Sequence, residues 1–155
     1  DKEAAYIYMP DKYRFVTALP VTEQGTVLLI RQYRHVWRRF FVELPGGAAN
    51  LGEDLEKAAR SELLEKVGAE AQELTAFPPH PPLGTLITAQ TFSYIALGTR
   101  VTRANRLDDR ELIEAPEVSL AKAYELLERG TITDASHVIT MLQARPLLVK
   151  RGLLP

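Results

Sequence analysis

The chain of 155 residues contains no cysteine. Disulfides and thiolate metal sites are excluded, and a reducing compartment such as the cytoplasm is the expected setting. Histidine is also scarce: His35, His80 and His137 lie far apart, and no His-acid-acid-His spacing suggests zinc. Neither charge dominates, with 19 Lys and Arg against 20 Asp and Glu. No basic stripe for nucleic acid and no polybasic patch for a membrane surface follow from that balance. No apolar run approaches the roughly 18 residues of a membrane span, and no signal peptide opens the chain. The chain starts on Asp1 rather than Met, so residues upstream are expected. Gly46-Gly47 is not followed by Gly-Lys-Ser/Thr, which rules out a P-loop. Ser136 and His137 are adjacent in sequence, and adjacency alone does not make a catalytic triad.

What is present is an ordinary globular composition, 46% hydrophobic and 25% charged. The length fits one domain over residues 1–155 with a real core. Tyr6–Met9 and Arg14–Leu19 flank a Pro10-Asp11-Lys12 turn and read as a hairpin. Thr26–Arg31 is apolar enough for the middle of a sheet. Gln32 to Arg39 is a polar-aromatic connection, and Phe40–Leu44 returns as a strand that Pro45-Gly46-Gly47 ends. A helix runs from about Glu53 to Val67, with acids in its first turn and Gly68 as its stop. Glu70–Phe77 and Gln90–Leu97 read as strands, Pro78–Gly84 and residues 98–117 as loops. Ser119 caps a helix through Leu127, and Thr133 or Asp134 caps a last one. This order of elements predicts an α+β or layered αβα domain.

The stretch from Gly46 to Ala69 carries the chemistry. Stepping about 100° per residue from Leu55 places Ala58, Ala59, Leu63 and Val67 on one apolar arc. Glu62 and Lys66 fall inside that arc and Glu65 at its edge. A buried carboxylate costs free energy unless it meets a cation, a metal or several donors. Glu62 and Lys66 are also spaced i, i+4 with the acid first, the favourable orientation for an ion pair. Either a metal or Lys66 could therefore answer Glu62.

Gly47, Glu53, Glu62, Leu63, Glu65 and Gly68 fall, without gaps, at the fixed positions of the Nudix box, and the chain resembles that family. Ile30-Arg31-Gln32-Tyr33-Arg34 followed by Val42–Gly47 is similar to the ADP-ribose pyrophosphatase branch, as is Thr131-Ile132-Thr133-Asp134 before the last helix. The resemblance implies a mixed β-sheet between helices in αβα layers. It implies a divalent cation, Mg²⁺ or Mn²⁺, and hydrolysis of the diphosphate in a nucleoside diphosphate derivative such as ADP-ribose or a nucleotide sugar. It also implies a homodimer in which N-terminal strands, here residues 1–20, act as a dimerisation arm.

Such chemistry has a physical basis. A diphosphate repels an attacking hydroxide, and a divalent cation offsets that charge and acidifies bound water. Mg²⁺ accepts one or two protein carboxylates plus water and phosphate. By the resemblance, Glu62 and Glu65, with the backbone of Gly47, would hold the metal and serve catalysis. Glu111 is the candidate general base on a later loop, with Glu114 second, and both read equally as solvated loop acids. Arg34 is a candidate for bidentate phosphate contact or a surface ion pair. Trp37 is a candidate for stacking on adenine, or else an interface or core residue. Ala48, beside Gly47, completes the substrate-contact candidates.

Three departures from the box stand out. Ser61 replaces its arginine, Asn50 stands where ADP-ribose enzymes often carry an extra acid, and Lys66 occupies the place of a metal-binding glutamate. A protonated lysine offers a metal no lone pair. Arg60 lies about 100° around the helix from the missing arginine, which makes it a poor substitute. The segment Leu83–Ala89 also lacks the acidic character typical of ADP-ribose hydrolases. The departures support an alternative: a Nudix-fold module that binds a nucleotide or a protein without cleaving anything.

Overall fold

In this computed structural model the described residues are 13–84, 86–102 and 112–155. The strand expected at Tyr6–Met9, most of the N-terminal arm and the candidate base Glu111 lie outside them. The described chain runs β1 (Tyr13–Thr22), β2 (Thr26–Leu28), β3 (Ile30–Arg34), β4 (Arg39–Glu43), β5 (Gly46–Asn50) and α1 (Leu55–Val67). It continues through β6 (Ala69–Glu70), β7 (Glu73–Ala76), β8 (Thr91–Val101), β9 (Ile113–Glu114) and β10 (Glu117–Ser119), then α2 (Leu120–Glu128) and α3 (Ala135–Lys150).

β1 is the central strand. It pairs parallel with β8 from Phe15 opposite Thr91 to Thr22 opposite Thr99. On its other edge it pairs antiparallel with β5 along Tyr13–Thr17 and with β2 at Val21. Among the described residues these strands, with β6, β7 and β10, form a mixed seven-stranded sheet. β4, β3 and β9 form a separate antiparallel sheet of three strands. The expected αβα layering with a mixed sheet is observed.

Alternation along a strand sends successive side chains to opposite faces. On β1, Val16 and Ala18 join Leu28, Ile30, Tyr94 and Ala96 under the apolar arc of α1, formed by Ala58, Ala59, Leu63 and Val67. Leu19 and Val21 point the other way, packing with Ile95, Leu97 and Leu120, Tyr124, Met141, Ala144 and Leu148 of α2 and α3. Both faces of β1 are therefore buried, which explains its near-continuous apolar run.

The helix ends follow from local chemistry. The Asp54 carboxylate accepts from Lys57 N, and Gly68, at φ 65°, donates its N–H to Leu63 O. Ser119 caps α2 as expected, and Asp134 caps α3 by accepting from the N–H groups of Ser136 and His137. A ladder of hydroxyls then fixes α3 to the start of β8. Thr91 Oγ1 lies 3.1 Å from Ser136 Oγ, Ser93 Oγ lies 2.7 Å from Thr140 Oγ1, and Thr140 donates to Ser136 O.

Three expectations need correction. The strand read over Thr26–Arg31 is two, β2 and β3, in different sheets, and Gln32–Arg34, read as part of a connection, continue β3. Gly46-Gly47 does not end the sheet: both residues begin β5, which adds a strand to the edge of β1. Gly46 fits there because the β1 backbone comes so close: a Cβ on it would sit 2.4 Å from Val16 O. Within residues 98–117, read as loop, β8 extends to Val101 and β9 and β10 add short pairings. Charged sequence at a sheet edge concealed them.

Truncating Leu19, buried between β1 and α3, should remove about 2–5 kcal/mol of stability. Val36→Ala, at a residue 94% exposed, should change it by no more than about 0.5 kcal/mol. Urea denaturation of both variants checks the assignment of β1 as the two-faced core strand.

Candidate functional site

A cavity of about 610 Å³ opens where β1, β3, β5, α1 and the N-terminus of α3 meet. Thr17 and Val16 supply its β1 wall, Gly46, Gly47 and Ala48 its β5 wall, and Glu62 and Lys66 its α1 wall. Gln32 and Arg34 reach in from β3, Asp134, Ser136 and His137 from α3, and Pro82 and Ile87 from the segment before β8. Elements distant in sequence thus deliver two cations, two carboxylates and an imidazole to one space.

The α1 wall depends on Gly47. A Cβ there would meet Glu62 Oε1 at 2.2 Å and Cδ at 2.5 Å, so the carboxylate lies directly on the glycine backbone. One turn further on, Lys66 is 6% exposed. Its Nζ lies 3.3 Å from Oε1 of Glu65, which is itself half-exposed and absent from the cavity lining. Glu62 and Lys66, not Glu62 and Glu65, are the helix residues that the cavity meets.

From β3, Arg34 forms a bidentate pair with the buried Glu43, Nε to Oε1 at 3.0 Å and Nη2 to Oε2 at 2.7 Å. Glu43 is 2% exposed and Arg34 about half-exposed. The pair holds the guanidinium plane in place and leaves Nη1 uncommitted to Glu43.

His137 also lines the cavity, with Nδ1 3.9 Å from Asp134 Oδ1. Nδ1 of His137 and both ring nitrogens of His80 are buried with no hydrogen-bond partner among the described residues. Burial lowers the affinity of both imidazoles for a proton. Asp134 opposes this at each, Glu43 also opposes it at His137, and Arg34 reinforces it there.

Other sequence candidates lie apart from the cavity. Trp37 is 66% exposed in the β3–β4 turn, edge-on to Phe41 and beside the Arg39 guanidinium. Glu114, on β9, pairs with Arg31 at 3.0 Å. Arg60 is held by Glu56 and by Ala71 O. Asn50 closes the turn into α1, its N–H donating to Glu53 Oε2. Gln32, Asp134 and His137 were not anticipated as cavity residues. The Asp134 cap signal located the helix end, but nothing local in the sequence related it to Arg34.

The NUDIX domain model matches residues 12–140. The chain belongs to the Nudix family. Among curated relatives, an ADP-ribose pyrophosphatase of Bacillus subtilis (strain 168) is 33% identical over 139 residues, covering 86% of this chain and 74% of that protein. A methanol dehydrogenase activator of Bacillus methanolicus is 28% identical over 130 residues, covering 81% and 69%. The crystal structure of an ADP compounds hydrolase matches with a TM-score of 0.81 over 94% of this chain and 77% of that one. At 23% identity that likeness speaks for the fold.

Nudix hydrolases generally use divalent metals, so the donor set deserves a direct test. No group of three or more His, Asp or Glu side chains converges among the described residues. The cavity wall of the Nudix helix presents one carboxylate, Glu62, and one ammonium, Lys66. A divalent cation beside Glu62 would face a buried positive charge one helical turn away, in surroundings where such repulsion is strong. The described residues therefore do not fit a metal held by a cluster of protein carboxylates.

The two imidazoles have a consequence for stability. Each is held neutral in the fold, so below the ordinary value of 6.5 the unfolded chain takes up protons first. Their contribution is complete above that pH and is lost as pH falls through the lower folded-state values. Urea midpoints measured down a pH series should fall below about pH 6.5. A His80→Gln, His137→Gln double variant should show a shallower fall, and an unchanged slope would assign the acid sensitivity to other groups.

Proposed function

We propose that this Nudix protein hydrolyses the diphosphate linkage of a nucleoside diphosphate derivative, with ADP-ribose as the first candidate and nucleotide sugars as the second. The observation that carries this reading is the cavity itself. It brings together a carboxylate packed on Gly47 and an arginine locked by Glu43, inside a family fold shared with an ADP-ribose pyrophosphatase.

The parts divide the work. Arg34, oriented by Glu43, offers a planar fork to the phosphoryl oxygens, and binding there spreads the charge that would repel a nucleophile. Thr17, Gln32 and the backbone of Gly46–Ala48 line the approach. Water attacks one phosphorus, the P–O bond to the bridging oxygen breaks, and ADP-ribose yields AMP and ribose 5-phosphate. The proton lost by the water goes to a carboxylate. Glu62 is the carboxylate on the α1 wall of the cavity, and Glu111 is the second candidate for that role.

Incubation of the purified chain with ADP-ribose, nucleotide sugars and dinucleoside diphosphates tests the reading directly. Parallel reactions should contain Mg²⁺, Mn²⁺ or a chelator, with products resolved by chromatography. AMP release from ADP-ribose is expected. Glu62→Gln should lower kcat by about 100-fold or more, the range for losing a positioned proton acceptor. Gly47→Ala should do similar damage with little change in Tm, because its Cβ would displace the flexible end of Glu62 rather than backbone. Arg34→Lys, which keeps a charge beside the buried Glu43, should raise KM by about tenfold through loss of the fork. No turnover of any member of the panel would overturn the proposal.

A further inference from the structure

Lys66 is the feature that neither the family pattern nor the proposed hydrolysis explains. Its side chain is 7% exposed, and it lines the cavity on the same wall as Glu62, one helical turn away. An ammonium removed from water costs several kcal/mol unless its surroundings compensate it. Its Nζ lies 3.3 Å from Glu65 Oε1, and Glu62 lines the same cavity one turn back along the helix. An ammonium carries three donors, so it can hold Glu65 and an oxygen of a ligand together.

Arg34, on β3, is the second cation of the lining. Its Nε and Nη2 are engaged by Glu43, which orients the guanidinium without consuming Nη1. The other acid of the lining, Asp134, is directed at the N–H groups of Ser136 and His137 as a helix cap. The cavity is thus lined by two cations held on rigid elements, one on a strand and one on a helix. That is the charge arrangement a diphosphate requires, since it carries one negative charge on each phosphorus.

We propose that Lys66 is a phosphate-binding residue. Together with Arg34, its ammonium takes the diphosphate of a nucleoside diphosphate ligand directly, with no divalent cation bridging that ligand to α1. The inference rests on the reading of the cavity as a nucleoside diphosphate site. It adds that affinity for the ligand is built into the chain and does not depend on added metal. In place of a carboxylate that recruits a cation, the helix carries the cation covalently.

Isothermal titration calorimetry on the full chain tests this, with ADP-ribose and inorganic pyrophosphate as probes, each in chelator and in Mg²⁺. Both probes should bind in chelator, with affinity little changed by Mg²⁺. Lys66→Met, close in length and without charge, should weaken both by about tenfold or more, and Lys66→Arg should retain binding. Lys66→Glu should make binding depend on Mg²⁺, because it exchanges the fixed cation for a metal-attracting carboxylate. Wild-type binding that requires Mg²⁺ would overturn the proposal, and so would undiminished binding by folded Lys66→Met. If Lys66→Met does not fold, the wild-type comparison between chelator and Mg²⁺ still decides. ADP-ribose that binds in chelator and is never cleaved would sink the hydrolase reading while supporting the role of Lys66.

Discussion

The site depends on how closely three backbones approach one another. β5 lies against β1 so tightly that Gly46 could carry no side chain without striking Val16 O. One residue on, Gly47 leaves just enough room for the Glu62 carboxylate to rest on the strand. Two adjacent glycines therefore answer two different neighbours, one a backbone and one a side chain. Their joint effect brings α1 down onto the sheet, and with it the face that carries Glu62 and Lys66. The apolar arc of Ala58, Ala59, Leu63 and Val67 fixes the rotation of that face. Packing decides which residues enter the cavity, and the charged residues follow.

The opposite wall is built by different means. α3 packs apolar residues against β8 and is also tied to the start of that strand by hydroxyls, through Thr91 with Ser136 and Ser93 with Thr140. Hydrogen bonds are directional, so the ladder sets the helix's position along the strand as well as its distance. This places Asp134, Ser136 and His137 at the cavity mouth. Arg34 arrives from a separate three-stranded sheet, and its bidentate pair with Glu43 lets a half-exposed arginine keep one orientation. Breaking that pair from the arginine side would leave a carboxylate buried alone, so binding and stability are coupled at Arg34.

Much of the architecture was legible in the sequence, because it rests on local rules. The α1 arc, the Gly68 stop and the Ser119 and Asp134 caps are all signals within a few residues of the feature they specify. Strand β5 was not legible: Gly-Gly-Ala-Ala-Asn has little β propensity and is held by pairing with β1. The site divided along the same line. Arg34, Gly47, Ala48 and Glu62 stood out by motif and do line the cavity, whereas Gln32, Asp134 and His137 are brought there by tertiary contacts. Lys66 was visible as an anomaly. What could not be read was which partner it takes, since i, i+4 spacing pointed to Glu62 and the structure adds a contact with the adjacent Glu65.

The resulting picture is of a Nudix scaffold whose charge balance has moved from carboxylates towards cations. The family fold and the likeness to an ADP-ribose pyrophosphatase point to a diphosphate ligand. The two cations lining the cavity give it an electrostatic reason to bind there. The most direct test of this account is a crystal structure of the chain with ADP-ribose. The diphosphate should lie between Arg34 and the Glu62–Lys66 wall, over the Gly47 backbone. A diphosphate seated elsewhere, or one turned away from Lys66 towards solvent, would contradict it.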